Sequence, residues 1–144
     1  MTGDDEQTAQ GGTTVKWYLY ALLKYRDFSG RARRKEYWYF VLFNTLFLLL
    51  LDALDSALGL RLIDSESFSI GVLGGLYLLA TLVPAIAVAA RRLHDTDRSV
   101  FWLLIFFVPL VGPLILLYFF VQRGTAGPNR FGPDPLAVDS SAEA

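Results

Sequence analysis

The chain has 144 residues, of which 53% are hydrophobic, 15% aromatic and 19% charged, with a formal net charge of −1 and no cysteine. A soluble domain averages about 45–50% apolar and about 25% charged; here the excess is concentrated in two uncharged runs of 24 residues, Ser67–Ala90 and Ser99–Gln122, against the about 20 residues a helix needs to span a bilayer. These figures exclude an ordinary soluble globule, a disordered chain, disulfides, and thiolate or Cys-based metal chemistry, and they give no sign of a nucleic-acid partner.

Residues 1–14 are polar and acidic and read as a disordered tail. No cleavable leader is expected, because the first long apolar run starts only at Tyr37. Residues 15–26 mix Trp17, Leu19, Tyr20, Leu22 and Leu23 with Lys16 and Lys24. That pattern predicts a short amphipathic helix in the membrane interface, where aromatics and Lys favour the headgroup level. A turn follows at Asp27–Gly30.

A first span is predicted over about 37–54, roughly 27 Å at 1.5 Å per residue. Tyr37, Trp38 and Tyr39 supply an aromatic belt at its start, and Asp52 and Asp55 mark its far end. Residues 56–66 read as a polar loop whose acids, with Asp52 and Asp55, are expected to be solvated. A second span is predicted over 70–90, with a kink at Pro84. Gly71 and Gly75 in it permit close helix packing and leave a homo-oligomer open. A short loop, Arg91–Ser99, holds the only histidine, His94.

The third run, 100–121, contains Pro109-Leu-Val-Gly-Pro113. A kinked single span is the favoured expectation, because broken backbone at membrane depth needs cover from protein or water. A re-entrant hairpin is the alternative. Gln122–Pro135 is rich in Gly and Pro, and a polar tail closes the chain. The predicted fold is therefore an all-α integral membrane bundle of about three transmembrane helices plus an N-terminal interfacial helix. Residues 15–135 form one membrane domain between tails 1–14 and 136–144.

The charges are sorted along this plan. Residues 15–36 carry +5, residues 52–69 carry −3 and residues 91–99 carry +1. Seven Lys and Arg precede the first span, one lies between spans one and two, and three lie between spans two and three. The positive-inside bias then predicts a cytoplasmic N-terminus and a cytoplasmic Arg91–Ser99 loop.

Three polar clusters hold the candidate site: Gly30–Trp38, Arg91–Arg98 and Asn129–Pro135. With the Trp17-Tyr18 opening, the strings Phe28-Ser-Gly-Arg-Ala-Arg-Arg-Lys-Glu-Tyr-Trp38, Arg91-Arg-Leu-His-Asp-Thr-Asp-Arg-Ser99 and Gly124-Thr-Ala-Gly-Pro-Asn-Arg-Phe-Gly-Pro-Asp-Pro135 resemble the bacterial inner-membrane family of domain of unknown function 805, the YhaH-like proteins. Val100-Phe101 departs from the small and Trp residues common there. The resemblance covers roughly Trp17 to Pro135 and implies a small multi-pass inner-membrane protein. It implies no activity.

The candidate headgroup-binding set is Arg31, Arg33, Arg34, Glu36, Arg91, Arg92, His94, Asp95, Arg98, Asn129 and Arg130. Juxtamembrane cations gain about 1 kcal/mol each from an anionic leaflet, and they also serve simply as topology anchors. Glu36 is expected to pair with an arginine and lock the first span to the second. His94 and Asp95 invite an acid–base reading, but adjacent helical residues do not face one another. An Arg–Asp network is the expectation there. No catalytic residue, cofactor or metal is assigned. Three functions remain: a structural or interaction protein whose basic face contacts anionic lipid or a partner, a small oligomeric transporter or channel subunit, and an enzyme acting on a lipid headgroup through His94.

Overall fold

The computed structural model describes residues 14–65 and 69–137. The expected acidic tail, except Thr14, the loop acid Glu66, and the last seven residues lie outside them. Among the described residues, the main elements are five helical segments and one small hairpin. They are α1 (Thr14–Leu23), α2 (Arg34–Leu58), β1 (Arg61–Asp64), β2 (Ser69–Gly71), α3 (Val72–Asp95), a 3-10 helix (Val100–Phe107) and α4 (Val111–Val121). Two of these, α2 and α3, are long and apolar enough to cross a membrane.

Both long helices exceed their predicted spans. The basic string enters α2 at Arg34, because Arg, Lys and Glu are good helix formers and nothing breaks the helix before Leu58. α3 likewise runs through Arg91, Arg92, His94 and Asp95 to a cap at Thr96. These residues therefore stand on helical turns, and the predicted loop shrinks to Thr96–Ser99. Pro84 sits inside α3, which continues across it.

At the far end, the predicted polar loop contains an antiparallel pair, with Arg61 opposite Gly71 and Ile63 opposite Ile70. The two adjacent apolar residues Leu62 and Ile63 carried too short a signal to separate strand from loop. Arg61 binds Asp52 at 2.7 Å and the Ser69 hydroxyl at 2.9 Å. Asp55 is not solvated: it is fully buried. Its Oδ1 accepts from Leu73 N–H at 3.0 Å and its Oδ2 from Gly74 N–H at 2.9 Å. A carboxylate from the last turns of α2 thus satisfies orphan donors at the start of α3. Gly71 makes room for it, since a Cβ there would lie 2.0 Å from Asp55 Oδ2.

α1 packs against α2 and α3. Tyr18 and Ala21 are buried in a core cluster with Ala32, Phe40 and Val88. The Tyr18 ring stacks on Phe40 at 5.6 Å, and its hydroxyl meets that of Tyr77 at 2.5 Å. Trp17 lies under the Arg33 guanidinium at 5.7 Å. This amphipathic segment is part of the bundle core as well as a candidate for the interface.

The run 100–121 does not form the continuous kinked helix favoured from sequence. Val100–Phe107 is a 3-10 helix, and the chain turns at Val108–Leu110 before α4. Leu110 takes φ 64, and Val111 N–H donates to Pro109 O at 2.7 Å, a γ-turn of the rare positive-φ kind. Pro109 and Pro113 each lack the N–H that a through-running helix needs. The two arms fold on each other, with Trp102 edge-on to Phe119 at 5.2 Å. Leu93 of α3 packs with Leu116, Phe119 and Phe120.

Candidate functional site

The fold-back brings all three polar clusters to one end of the molecule. In the first layer, Arg91 Nη1 donates to Glu36 Oε1 at 2.5 Å, with side chains 2% and 4% exposed. One helix places Glu36 in the first turn of α2 and the other places Arg91 in the last turns of α3. The expected lock between the two helices therefore forms. Ala32 N–H donates to Arg91 O at 2.9 Å and draws the preceding turn onto the same spot.

The second layer centres on Asp95. Its Oδ1 receives Arg31 Nε at 3.0 Å and its Oδ2 receives Arg92 Nη1. The remaining guanidinium donors reach backbone carbonyls of the C-terminal segment. Arg31 Nη1 donates to Gly127 O at 2.7 Å and Nη2 to Thr125 O at 2.6 Å. Arg92 Nε donates to Phe120 O at 3.2 Å and Nη2 to Gln122 O. Thr125 N–H returns to Asp95 O at 2.8 Å. Gly124 passes so close that a Cβ would lie 2.1 Å from Asp95 Oδ2. One carboxylate and two guanidiniums thus strap residues 123–136 across the end of α3.

The third layer holds His94. Its Nδ1 donates to Gly30 O at 3.2 Å, and its ring stacks on Phe131 at 3.9 Å with an interplanar angle of 6°. A carbonyl only accepts, so the ring proton sits on Nδ1. Asn129 Nδ2 donates to His94 O at 2.9 Å. Arg130 pairs with Asp97 at 3.2 Å in the open, and Arg98 lies over Phe119 at 4.1 Å. His94 and Asp95 thus point to different partners, which leaves the acid–base reading without geometry.

The predicted set therefore splits. Arg31, Glu36, Arg91, Arg92, His94, Asp95 and Asn129 are engaged internally, and Arg98 and Arg130 are held at the rim. Arg33 and Arg34 instead line a cleft of about 850 Å3 between the start of α2 and the C-terminal strap. Lys35 and Arg123, absent from the predicted set, line it too, together with Trp38, Tyr39 and Leu42. Lys35, Trp38, Tyr39 and Leu42 follow helical i, i+3, i+4, i+7 spacing, a pattern legible in the sequence. Arg123 gave a signal as the charge that ends the last apolar run. Its approach to Lys35 required the fold-back.

Arg34, Lys35 and Arg123 make no hydrogen bond or ion pair among the described residues. Arg33 donates to Pro135 O. Of the two acids at the cleft, Asp95 is already matched by Arg31 and Arg92. Asp134 accepts from Leu136 and Gly127 N–H at 2.9 Å each, which hold its carboxyl below the usual carboxylate range. The free charge of the cleft is positive.

Two long apolar helices, closed at one end by a buried Arg–carboxylate network beside a basic cleft, define a small helical protein with two candidate membrane-spanning helices. The chain belongs to the family described as "Protein of unknown function (DUF805)", whose model matches residues 25–133. It is 51% identical over 121 residues to the inner membrane protein YhaI of Escherichia coli K12, covering 84% of this chain and 96% of that protein. It is 50% identical over 121 residues to the inner membrane protein YhaH of the same strain, covering 84% and 97%. No solved structure matches the chain.

Proposed function

We propose that the chain is a multi-pass protein of the bacterial inner membrane whose basic end faces the cytoplasm and contacts the anionic lipid leaflet, acting as a structural or interaction module. Its relatives named as inner membrane proteins support the location. The single observation that carries the lipid reading is the cleft lined by Arg34, Lys35 and Arg123, whose side chains form no ion pair among the described residues. α2 and α3 are read as full crossings. The run 100–121 is read as a re-entrant hairpin, because its arms are roughly 16 Å each at 2.0 and 1.5 Å per residue, half the hydrocarbon core. The bonds from Arg92 to Phe120 O and Gln122 O return its end to the end of α3.

Absence of native cysteine makes a clean test available. Single-cysteine variants Thr8→Cys, Leu110→Cys and Ser141→Cys are labelled with an impermeant maleimide in inverted and right-side-out vesicles. Labelling of positions 8 and 141 only from the cytoplasmic side, with position 110 protected from both, is expected. Labelling of position 141 from the outside defeats the topology. Anionic lipid contact is tested by comparing the lipids that copurify with the full chain against bulk membrane composition; no enrichment of anionic lipid defeats that reading.

A further inference from the structure

The basic cleft has a second half that electrostatics alone leaves unused. Below Arg34 and Lys35, its wall is Trp38, Tyr39 and Leu42 on the same face of α2. Leu42 stands about 12 Å along the helix from Arg34 at 1.5 Å per residue. The exposed face continues through Leu46, Leu49 and Leu50. A volume of about 850 Å3 lies within the range of small-molecule sites. At the top, α2 begins at Arg34, and Arg33 before it makes no side-chain cap on the helix. The first-turn N–H groups and the positive end of the helix dipole therefore add to the charge of Arg34, Lys35 and Arg123.

A cationic head and an apolar trough on one continuous wall match an amphiphile. A soluble phosphate ester would use the head and leave Trp38, Tyr39 and Leu42 uncovered. We infer that this cleft is a discrete site for one anionic glycerophospholipid, its phosphoryl group held between Arg34, Lys35 and Arg123 and one hydrocarbon chain laid along Trp38, Leu42 and Leu46. The assignment rests on the proposed contact with the anionic leaflet and narrows it from a diffuse surface to a stoichiometric pocket. Arg31, Arg91 and Arg92 take no part, because their guanidiniums serve Asp95, Glu36 and backbone carbonyls.

Native mass spectrometry of the full chain, exchanged from detergent into defined lipid, reads the site directly. The probes are dioleoyl-phosphatidylglycerol, dioleoyl-phosphatidylethanolamine and free glycerol phosphate. One phosphatidylglycerol retained per chain is expected, with at least about tenfold weaker retention of phosphatidylethanolamine and no competition by glycerol phosphate. The variant Arg34→Ala/Lys35→Ala/Arg123→Ala should lower retention at least about tenfold at a nearly unchanged melting temperature, since these side chains make no hydrogen bond or ion pair among the described residues. Lys16→Ala/Arg26→Ala, which changes two cations that do not line the cleft, should leave it unchanged. Leu42→Asn should lower it several-fold with every cation in place. If phosphatidylglycerol is preferred but the triple variant retains it fully, the pocket is wrong while leaflet contact survives. If the wild type shows no preference between the two lipids, leaflet contact fails as well. Full competition by glycerol phosphate overturns the assignment to a lipid.

Discussion

The carboxylate of Asp55, near the end of α2, caps Gly74 at the start of α3, accepting its N–H at 2.9 Å from a fully buried position. With the matching bond from Leu73, this one side chain fixes how α3 enters the bundle. The opposite end is fixed by Glu36 and Arg91. Both long helices are therefore clamped to each other at each end by a polar contact, with apolar packing between.

Asp55→Ala leaves the Leu73 and Gly74 donors buried without acceptors. Loss of a helix cap of this kind costs about 1–2 kcal/mol. Thermal unfolding of the purified protein in detergent should register that loss. Gly71→Ala should be at least as damaging, because its Cβ would collide with the Asp55 carboxylate. Wild-type stability in both variants would refute the cap.

Glu36→Ala and Arg91→Ala each strand a buried charge, and breaking a buried pair costs about 3–5 kcal/mol. Arg91 depends heavily on this partner, since its Nε and Nη2 find no acceptor among the described residues. The double variant should therefore lose clearly less than the sum of the single losses. Simple additivity in the double-mutant cycle would show that the pair is not coupled.

Asp95→Ala removes the shared acceptor of Arg31 and Arg92 and so should free the strap. Limited proteolysis at 123–136 should accelerate several-fold while α2 and α3 remain protected. Phe131→Ala, which removes the ring between His94 and Arg130 but leaves the Asp95 ion pairs in place, should have the smaller effect. Equal protease resistance of Asp95→Ala and wild type would contradict the strap.

Asp134 gives the strap a pH dependence. Its folded carboxyl lies below the ordinary value of 3.8 because Leu136 and Gly127 donate to it. The stabilisation it lends is complete above that ordinary value and is lost as pH falls through the lower, folded one. Trp38 lines the same cleft, so its fluorescence, in a Trp17→Phe/Trp102→Phe background, should change only below about pH 4. Asp134→Asn should abolish that acid transition; an identical transition in the variant would assign it elsewhere.

Much of the site was legible in pieces. The sequence marks Glu36 as the lone acid among four cations, and Glu36 is the residue that clamps the helices. It marks the Arg91–Arg98 and Asn129–Pro135 strings, which do converge. It does not mark which cations remain open. Arg31 and Arg34 are indistinguishable in the string Arg31-Ala-Arg-Arg-Lys35, yet Arg31 is 1% exposed in side chain and bound to Asp95 while Arg34 faces the cleft. That difference comes from a partner 64 residues away.

Apolar run length, charge sorting and motif order are sums over neighbouring residues, so the sequence alone marked three apolar runs and the basic residues beside them, while the structure showed that two of those runs form helices long and apolar enough to cross a membrane. Tertiary structure decided the rest: the reversal at Leu110, the burial of Asp55, and the division of the cationic clusters into an internal lock and an open cleft. Each of these depends on segments far apart in the chain meeting at hydrogen-bond distance. A local hydropathy or charge count carries no information about such meetings, because burial and pairing belong to two segments at once.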